Sequence, residues 1–472
     1  MQTLTFDARN FLRGISMSDE LADGGFSPNS KGINLFASPG LVLPGDSPYF
    51  QYGAPAGNVV DFKGVIAWSS TQTNVAPGPA RAVSANNAND GRFYLVSDSG
   101  QPTQAATDTV RDYVEGKTDM VYYRGDFYIT STTNIALCNY DFSVNDFTWW
   151  TGTKGKTALN PSYPHKMCQY GGILYVIDGN LVHSWDGTTA THTALDLPPG
   201  FIATDITTYG NLIYISASLF DPDSSGVSVM SRIFTWDGYS DSFIDEFPVQ
   251  EVIDALIVFG GSLIVTTRSY VGYWNGSTVS PLYPLTSSVY KHQYAITNDR
   301  LYLLQGRDIL CFGNPLISHP KFFSFPLRHP SKAMNSLYSY NRGTVLFGVA
   351  DASNPGSGSF NVGGSSSTGL HLYSNKIFLG RYSKIRSVIL ETEALTAGAS
   401  IGVNYLNSDG VTKAVGTYSH ANFGGISKHE FDVNAHDPTL TVQLDLVWNA
   451  TPNKGIRRVH VTYEPTERKI NR

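Results

Sequence analysis

The chain has 472 residues, more than one ordinary hydrophobic core accommodates, so we expect one large closed architecture and a smaller domain. Its formal net charge of -6 and its low content of charged residues disfavour a general nucleic-acid binder, because phosphate affinity depends on clustered Lys and Arg. Aromatic residues make up 12% of the chain and glycines number 45, a composition that favours many short strands joined by tight turns, and so an all-β fold.

The N-terminus and the hydropathy pattern predict a protein made in the cytoplasm. The first residues, MQTLTFD, lack the basic and apolar regions of a secretory signal. No run of residues in the sequence approaches the ~18 apolar positions needed to cross a bilayer. We therefore expect no membrane partner.

Residues 1–56 are unlike the rest of the chain, and we predict an extended N-terminal arm. Pro and Gly recur between residues 24 and 45, which disfavours a long helix. Four large apolar side chains of this arm are candidate partner contacts: Phe26, Leu35, Phe36 and Leu41. The arm can pack in cis over its own propeller or reach a neighbouring subunit in trans, where edge-strand addition is the expected mode.

A segment of the type YGGILYVI recurs between residues 57 and 375 at intervals of roughly 40 to 50 residues, the period of a β-propeller blade. The strongest copies are residues 170–177, 209–216 and 259–266. Weaker copies begin at Tyr123, Thr297 and Tyr340, and a degenerate one at Phe62. We predict a propeller of about seven blades over residues 57–375, with six or eight as alternatives.

A second signature follows each strong copy, an aromatic residue before Asp-Gly or Asn-Gly. It occurs as Trp185-Asp186-Gly187, Trp236-Asp237-Gly238 and Trp274-Asn275-Gly276. Asp-Gly and Asn-Gly favour the positive φ angles of a two-residue hairpin turn. We therefore predict two-residue turns here, with Asp186 and Asp237 as turn formers and not catalytic acids.

The repeat ends near Lys376, where we predict the start of a C-terminal β-sandwich over residues 376–472. Just before this boundary, the Gly- and Ser-rich residues 353–359 and 363–367 are predicted to form an exposed loop. Beyond it, residues 440–446 and 459–464 alternate apolar and polar side chains, as strands with one wet face do. Further strands are expected at 385–390, 401–406 and 427–433.

No motif in the sequence marks a catalytic, cofactor or metal site. Propeller glycosidases need an arginine cluster or paired carboxylates, and no Ser-x-Asp-x-Gly-x-Thr-Trp turn recurs here. Residues 221–226 lack the closing Glu of a calcium loop. No pair of histidines has zinc-site spacing. We expect a non-enzymatic protein without a cofactor or metal; a carbohydrate-binding or glycosidase-like propeller is the alternative.

The cysteines and the C-terminal basic residues carry two smaller predictions. Cys138, Cys168 and Cys311 lie far apart in apolar surroundings, and we predict buried thiols and no disulfide framework. Near the C-terminus, the candidate contact residues are Arg457, Arg458, Arg468 and Arg472. These arginines are either simply solvated or dock to an acidic surface or DNA.

The segment Asn34-Leu35-Phe36-Ala37-Ser38-Pro39-Gly40-Leu41, ahead of a propeller and a terminal sandwich, resembles the tail hub and nozzle proteins of short-tailed bacteriophages and related virion proteins of long-tailed ones. The resemblance covers the whole chain as an order of domains. It implies a structural virion protein of the tail or neck, assembled as a homo-oligomeric ring in the host cytoplasm. It further implies partners among other phage tail and neck proteins, and passage of, or contact with, DNA.

Overall fold

A computed structural model of the chain describes the following residues, and the structural statements below concern them: 1–7, 27, 29–34, 41–44, 49–53, 61–64, 66–67, 82–86, 92–96, 102–107, 119–124, 126–130, 135–141, 146–149, 159–160, 162–220, 228–291, 293–297, 300–313, 322–328, 334–341, 344–349, 356–361, 369–423, 425–433, 438–450 and 454–466. Among them, no helix has the length and apolar character needed to span a membrane.

The predicted arm contributes four short strands: β1 (Gln2–Asp7), β2 (Ile33–Asn34), β3 (Leu43–Pro44) and β4 (Tyr49–Gly53). Strands β2 and β3 pair with each other in antiparallel. Strands β1 and β4 join larger sheets at distant points of the chain. The described strands β1 and β4 of the arm thus add to sheets of their own chain.

Seven sheets follow, and we number them as blades 1 to 7. Blade 1 contains β5 (Asp61–Gly64), β6 (Ile66–Ala67), β7 (Ala82–Asn86), β8 (Arg92–Val96) and β9 (Pro102–Thr107). Blade 2 contains β10 (Met120–Tyr123), β11 (Asp126–Thr130), β12 (Ile135–Asp141) and β13 (Asp146–Trp149). Blade 3 contains β14 (Met167–Tyr170), β15 (Ile173–Asp178), β16 (Leu181–Trp185) and β17 (Ala190–Asp196). Blade 4 contains β18 (Phe201–Tyr209), β19 (Leu212–Phe220), β20 (Ser228–Trp236) and β21 (Asp245–Val249).

The remaining blades have the same build. Blade 5 contains β22 (Ile253–Phe259), β23 (Ser262–Thr267), β24 (Tyr270–Trp274) and β25 (Val279–Pro284). Blade 6 contains β26 (Tyr294–Thr297), β27 (Arg300–Gln305), β28 (Asp308–Phe312) and β29 (Phe322–Arg328). Blade 7 contains β30 (Met334–Asn341), β31 (Thr344–Val349) and β32 (Gly356–Asn361), and takes β4 as its fourth strand.

The order of strands within the blades identifies a closed β-propeller. Blades 2 to 6 are four-stranded meanders in which each strand pairs with the next along the chain. The first strands of several neighbouring blades pack side by side: β10 with β14, β14 with β18, β18 with β22, and β26 with β30. Strand β30 of blade 7 also packs beside β5 of blade 1. The all-β propeller of about seven blades is thus confirmed. Blade 1 has a fifth strand, which accounts for the long first interval of the repeat.

The hydrophobic core of the described blades lies between their facing sheets. Between blades 3 and 4, Ile177, Ile213 and Phe234 are completely buried. The ring of Tyr175 meets that of Trp236 edge to face at 5.3 Å. Because these central strands are covered on both faces, their sequences are apolar runs without alternation.

The recurring Tyr-Gly segment forms the hairpin between the first and second strands of a blade. In blade 3, Tyr170 pairs with Ile173 across a two-residue turn. The turn residues Gly171 and Gly172 have φ angles of 58° and 79°, which side chains rarely adopt. We predicted a two-residue turn with positive φ angles at the Asp-Gly signature. Such a turn lies instead at Gly171-Gly172, in the first hairpin of the blade.

The Asp-Gly signature forms a longer turn than predicted. Strand β16 ends at Trp185 and β17 begins at Ala190, so four residues connect them. The Asp186 Oδ1 atom accepts hydrogen bonds from the amides of Thr188 and Thr189 at 2.7 and 2.6 Å. Only Gly187 in this turn has a positive φ. The Asp186 side chain accepts the turn amides, so the turn does not need the two positive φ angles of a two-residue turn. Asp186 and Asp237 are confirmed as turn formers.

At three junctions, the tyrosine of this hairpin also joins its blade to the next one. The hydroxyl of Tyr123 donates to the carbonyl of Gly172 at 2.7 Å. Tyr170 donates to the carbonyl of Asn211 at 2.6 Å. Tyr209 donates to the carbonyl of Gly261 at 3.0 Å. Three consecutive junctions, between blades 2 and 5, thus repeat one hydrogen bond.

The C-terminal region is the predicted β-sandwich. It contains β33 (Leu370–Tyr373), β34 (Ile377–Thr392), β35 (Ser400–Leu406), β36 (Thr412–Ser419), α1 (His420–Phe423), β37 (Lys428–Asp432), β38 (Thr439–Ala450) and β39 (Ile456–Pro465). The strand order is β1-β39-β34-β38-β35-β36, with β33 beside β38 and β37 beside β34. Strand β1 thus adds to the edge of β39, where Asp7 pairs with Arg458 at 2.7 Å.

One predicted loop is a strand. Residues 356–359 were expected in an exposed Gly- and Ser-rich loop, but they belong to β32 of blade 7. Phe360, next to them, is buried. Strand β32 lies between β31 and the N-terminal strand β4, so distant backbone groups supply the pairing that its own side chains do not favour. Residues 363–367 lie outside the described residues.

The density of contacts divides the chain into two units. One comprises Met1–Tyr49, Asp308–Pro330 and Phe360–Arg472, and the other comprises Phe50–Arg307 and Ser331–Ser359. Strand pairing also crosses the predicted boundaries, since β4 pairs with β32 of blade 7 and β33 pairs with β38 of the sandwich.

We predict that Tyr209→Phe weakens the junction between blades 4 and 5. The variant keeps the ring but loses the hydroxyl bond to Gly261, at a cost of about 0.5–1.5 kcal/mol in the free energy of unfolding. Urea denaturation of the full chain measures this loss. Tyr273→Phe is the matched control, because Tyr273 is 40% exposed. Equal effects of the two variants would contradict the inter-blade role.

Candidate functional site at the top face

A buried polar residue recurs in the first strand of the blades or directly before it. It lies four positions before the hairpin tyrosine as Asp119 in blade 2, Lys166 in blade 3 and Asp205 in blade 4. Asp254 of blade 5 lies one position further away, because a register shift falls between Ile253 and Ala255. We call the end of the blades where the first strands begin the top face.

Two of these carboxylates bind the first strand of the following blade. Asp119 Oδ2 accepts the amide of Met167 at 2.7 Å. Asp205 Oδ2 accepts the amide of Leu256 at 2.8 Å, and its Oδ1 accepts the amide of Ile206 at 2.8 Å. Each first strand has a sheet neighbour on one side only, so these amides need acceptors from outside their own sheet. The carboxylates supply them.

Lys291 supplies positive charge to this carboxylate cluster. Its Nζ lies 2.7 Å from Asp119 Oδ2 and donates to the carbonyl of Met167 at 2.6 Å. The Asp119 side chain is fully buried, whereas that of Lys291 is 19% exposed. Burial lowers the pKa of Lys291, but the nearby Asp119 and Asp205 carboxylates outweigh it and raise the pKa above its ordinary value. Lys291 is therefore a permanent cation.

Burial raises the pKa values of two neighbouring groups in this cluster, Asp205 and Cys168. Burial raises the pKa of Asp205, and the Lys291 charge opposes the rise. Burial also raises the pKa of Cys168 to about 12, and the Lys291 charge again opposes the rise. Cys168 is thus a thiol at neutral pH and not a nucleophile. Cys168 and Cys311 are confirmed as buried free thiols, whereas the side chain of Cys138 lies outside the described part.

Asp254 differs from the other carboxylates at the top face. Burial raises its pKa to about 6, while a hydrogen bond from Ser288 and the charge of Arg268 lower it and Glu251 raises it further. Within the part of the chain that the structure describes, its Oδ2 atom has no hydrogen-bond partner. Asp254 is therefore a carboxylic acid that can exchange a proton near neutral pH.

Three of the predicted contact residues lie within the described part of the chain: Leu41, Arg457 and Arg458. Leu41 is half-buried, with its side chain close against Gly455 of the sandwich region. Arg457 is exposed, and Arg458 pairs with Asp7 of strand β1. The other predicted contacts lie outside the described residues: Phe26, Leu35, Phe36, Arg468 and Arg472.

Sequence reasoning missed the polar residues of the top face, although the repeat contains a signal for them. Aligning the blades on their hairpin tyrosines places Asp119, Lys166 and Asp205 at one position, and Gln293 at the same distance before Thr297. A charged or amide residue at a fixed place in an apolar repeat indicates a common structural task. Lys291 lies outside that register and has no such signal.

We predict that Lys291→Met strongly destabilises the propeller. The change leaves buried Asp119 without its cation, at a cost of about 3–5 kcal/mol in the free energy of unfolding. The double variant Asp119→Asn/Lys291→Met should lose less than the sum of its single changes. Lys428→Met is the control, since the exposed Lys428–Glu391 pair is worth less than about 1 kcal/mol. Urea denaturation distinguishes these cases, and a cost of Lys291→Met no greater than the control's would contradict the assignment.

We predict that Asp254→Asn stabilises the protein above pH 6. Because the folded-state pKa of about 6 exceeds the ordinary 3.8, the folded state binds the proton more tightly than the unfolded state. The stability contribution of Asp254 is therefore full below about pH 4 and is lost as the pH rises through about 6. The variant should gain up to about 3 kcal/mol over the wild type above that pH, and little near pH 4.

Urea denaturation across this pH range measures the difference for Asp254→Asn. Asp241→Asn, at an exposed position, is the matched control. A gain that is independent of pH would count against a titrating, buried Asp254.

Comparison with known proteins identifies no family for this chain. No protein-family description and no curated protein sequence matches it. Among solved structures, it is similar to an extracellular domain described as part of a hybrid two-component system of B. thetaiotaomicron, with a TM-score of 0.44 and 10% identity over 79% of this chain. The chain spans 45% of that structure's length.

Two glycosidase structures are also similar to this chain. An exo-beta-1,3-galactanase from Phanerochaete chrysosporium has a TM-score of 0.28 and 10% identity, covering 66% of this chain and 98% of the enzyme. A glycoside hydrolase family 43 arabinoxylan arabinofuranohydrolase from Bacillus subtilis has a TM-score of 0.29 and 12% identity, covering 89% of this chain and 99% of the enzyme. At these values the assignment of this chain as a propeller rests on its own sheets.

Proposed function

We propose that this chain is a structural, non-catalytic component of the tail or neck of a tailed bacteriophage, in which it assembles as a ring and links other tail proteins. The order of arm, propeller and sandwich and the segment Asn34 to Leu41 motivate the proposal. The observation that carries it is the use made of the charged groups at the top face, which join blades to each other.

The carboxylates Asp119 and Asp205 each accept a backbone amide of the next blade, and Asp119 also pairs with Lys291. A group held in this way is not available to a substrate, but it resists separation of the blades. The tyrosine hydroxyl bonds do the same at the opposite hairpins. This double set of ties supports a scaffold role, in which a rigid propeller presents its loops and its attached sandwich to partners.

The arm and the sandwich edge support the same role. Strand β1 pairs with β39 over six residues, and three of its six side chains are exposed, so the backbone supplies much of the attachment. Strand addition of this kind is a common means of joining protein segments.

We expect the protein in purified virions and in closed rings. Mass spectrometry of phage particles should detect the chain in several copies per particle, and electron microscopy of the purified full chain, alone or with a tail partner, should show rings. A monodisperse monomer that neither assembles nor enters a particle would contradict the proposal. Lys291→Met is a useful comparison, because loss of rings in that variant alone would link assembly to an intact propeller.

A carbohydrate-binding or carbohydrate-cleaving propeller is a second candidate, and Asp254 is the observation that favours it. A glycosidase needs an acid with a raised pKa and a second carboxyl group in a different environment. Asp254 has a pKa of about 6, and Glu251 lies near enough to raise it. Glu251 itself accepts hydrogen bonds from Thr267 and Ser269, at 2.9 and 2.6 Å.

Hydrolysis assays decide between the two candidates. Beta-1,3-galactan and arabinoxylan are the first polysaccharides to screen, followed by a glycan array for binding alone. If the chain is a glycosidase, Asp254→Asn should remove turnover while leaving the fold intact, and Asp241→Asn should leave turnover unchanged. Turnover that depends on Asp254 would overturn the structural proposal.

A further inference from the structure

The outer strand of blade 3 contains a wide bulge that is attached to a histidine. Val182 pairs with Leu195 and Ser184 pairs with Thr191, so three residues of β17 lie opposite His183 alone. Thr193, in the middle of the bulge, has a φ of 63°. A β-branched residue rarely adopts that left-handed conformation. Its amide donates a hydrogen bond to His183 Nδ1 at 3.2 Å.

This hydrogen bond determines the protonation state of His183. Because the Thr193 amide can only donate, Nδ1 must carry a lone pair, and the ring is neutral with its proton on Nε2. That Nε2 lies 3.6 Å from Asp178 Oδ2, beyond hydrogen-bond distance, and it has no hydrogen-bond partner among the described residues. The His183 side chain is only 7% exposed. A metal ion at Nε2 is incompatible with this arrangement, since a ligating ring has a proton on its other nitrogen.

Asp178 is an ionised carboxylate between two imidazoles. Its oxygens accept the amide of Asn160 at 3.1 and 3.0 Å, and Oδ1 lies 3.3 Å from His165 Nε2. Burial raises the pKa of Asp178, but the His165 ring, the nearby His183 ring and the Asn160 amide outweigh it and hold the pKa well below its usual range. The negative charge therefore persists at every pH at which an imidazole titrates.

Two further titratable groups lie near the bulge. The exposed His192 ring meets that of His183 edge to face at 5.8 Å. Asp196 accepts a hydrogen bond from Asn180 at 2.6 Å, on the hairpin that follows Asp178. Of the groups that face His183, Asp178 carries a fixed negative charge.

We propose that His183 is a proton-controlled latch on the outer edge of blade 3, whose neutral ring holds residues 191–195 in the bulge and whose protonation releases them. A second proton on this ring must go to Nδ1, where it replaces the acceptor of the Thr193 amide with a donor. The imidazolium is retained by the Asp178 carboxylate. Residues 191–195 therefore leave the bulge while the His183 ring stays beside Asp178. Their release also relieves the unfavourable φ of Thr193.

The latch acts at a sheet edge. Strand β17 is the last strand of its blade, so residues released from it expose backbone groups with no sheet neighbour on the outer side. Such edges are the places at which another chain adds a strand. Because imidazoles titrate between about pH 5 and 8, acidification in this range would open the edge. The inference concerns blade 3 and is independent of the proposed virion role.

Hydrogen exchange of the full chain, measured by mass spectrometry between pH 8 and pH 5, tests the latch. After correction for the intrinsic exchange rate, protection of residues 191–195 in the wild type should fall at least about tenfold on acidification. His183→Asn should keep its protection constant, because the amide oxygen of Asn can replace Nδ1 as the acceptor and does not titrate. His192→Gln is the matched control and should retain the wild-type response.

Two results would overturn the proposal. One is wild-type protection that does not change with pH after correction. The other is an equal loss of the response in His183→Asn and His192→Gln. If His183→Asn does not fold, as judged by circular dichroism, the nitrogen chemical shifts of His183 in the wild type at pH 8 decide the matter. They should show a proton on Nε2, and a proton on Nδ1 would refute the latch.

Discussion

The propeller depends on satisfying the backbone of the first strand in each blade. That strand has a hydrogen-bonded neighbour on one side only, yet it is buried, and buried amides without acceptors are costly. Asp119 and Asp205 solve the problem by reaching from one blade to the amides of the next. The same bonds that complete the backbone therefore also set the spacing of the blades.

Placing carboxylates in this position creates a second requirement, which Lys291 meets. Two neighbouring buried carboxylates raise each other's pKa unless a cation lies close by. Lys291 reaches Asp119 directly and lowers the electrostatic cost at Asp205. By residue type alone, the charged groups of the top face would suggest catalysis. In the structure, Asp119, Asp205 and Lys291 instead join neighbouring blades. Asp254 is the informative exception, because one of its oxygens has no hydrogen-bond partner in the described structure.

At equivalent turns of the repeat, different side chains accept the same backbone amides, so the turns have similar local structure. Asp186, Asp237 and Asn275 all accept two amides of the turn that follows them. His183 extends the theme, since its ring accepts an amide from a bulge in the neighbouring strand. In that case the acceptor can titrate, so a structural hydrogen bond becomes sensitive to pH.

The sequence by itself determined the all-β class, the propeller repeat and the sandwich strands, because each depends on local patterns. Gly171 and Gly172 specify their turn directly, and the alternation in β39 specifies its wet face. The tertiary structure alone decided which distant segments meet. The pairing of β4 with β32, of β1 with β39, and the approach of Lys291 to Asp119 join residues far apart in the chain, and no local pattern encodes such a pairing. The predicted loop at residues 356–359 became a strand for the same reason, since its partner lies at the other end of the propeller sequence.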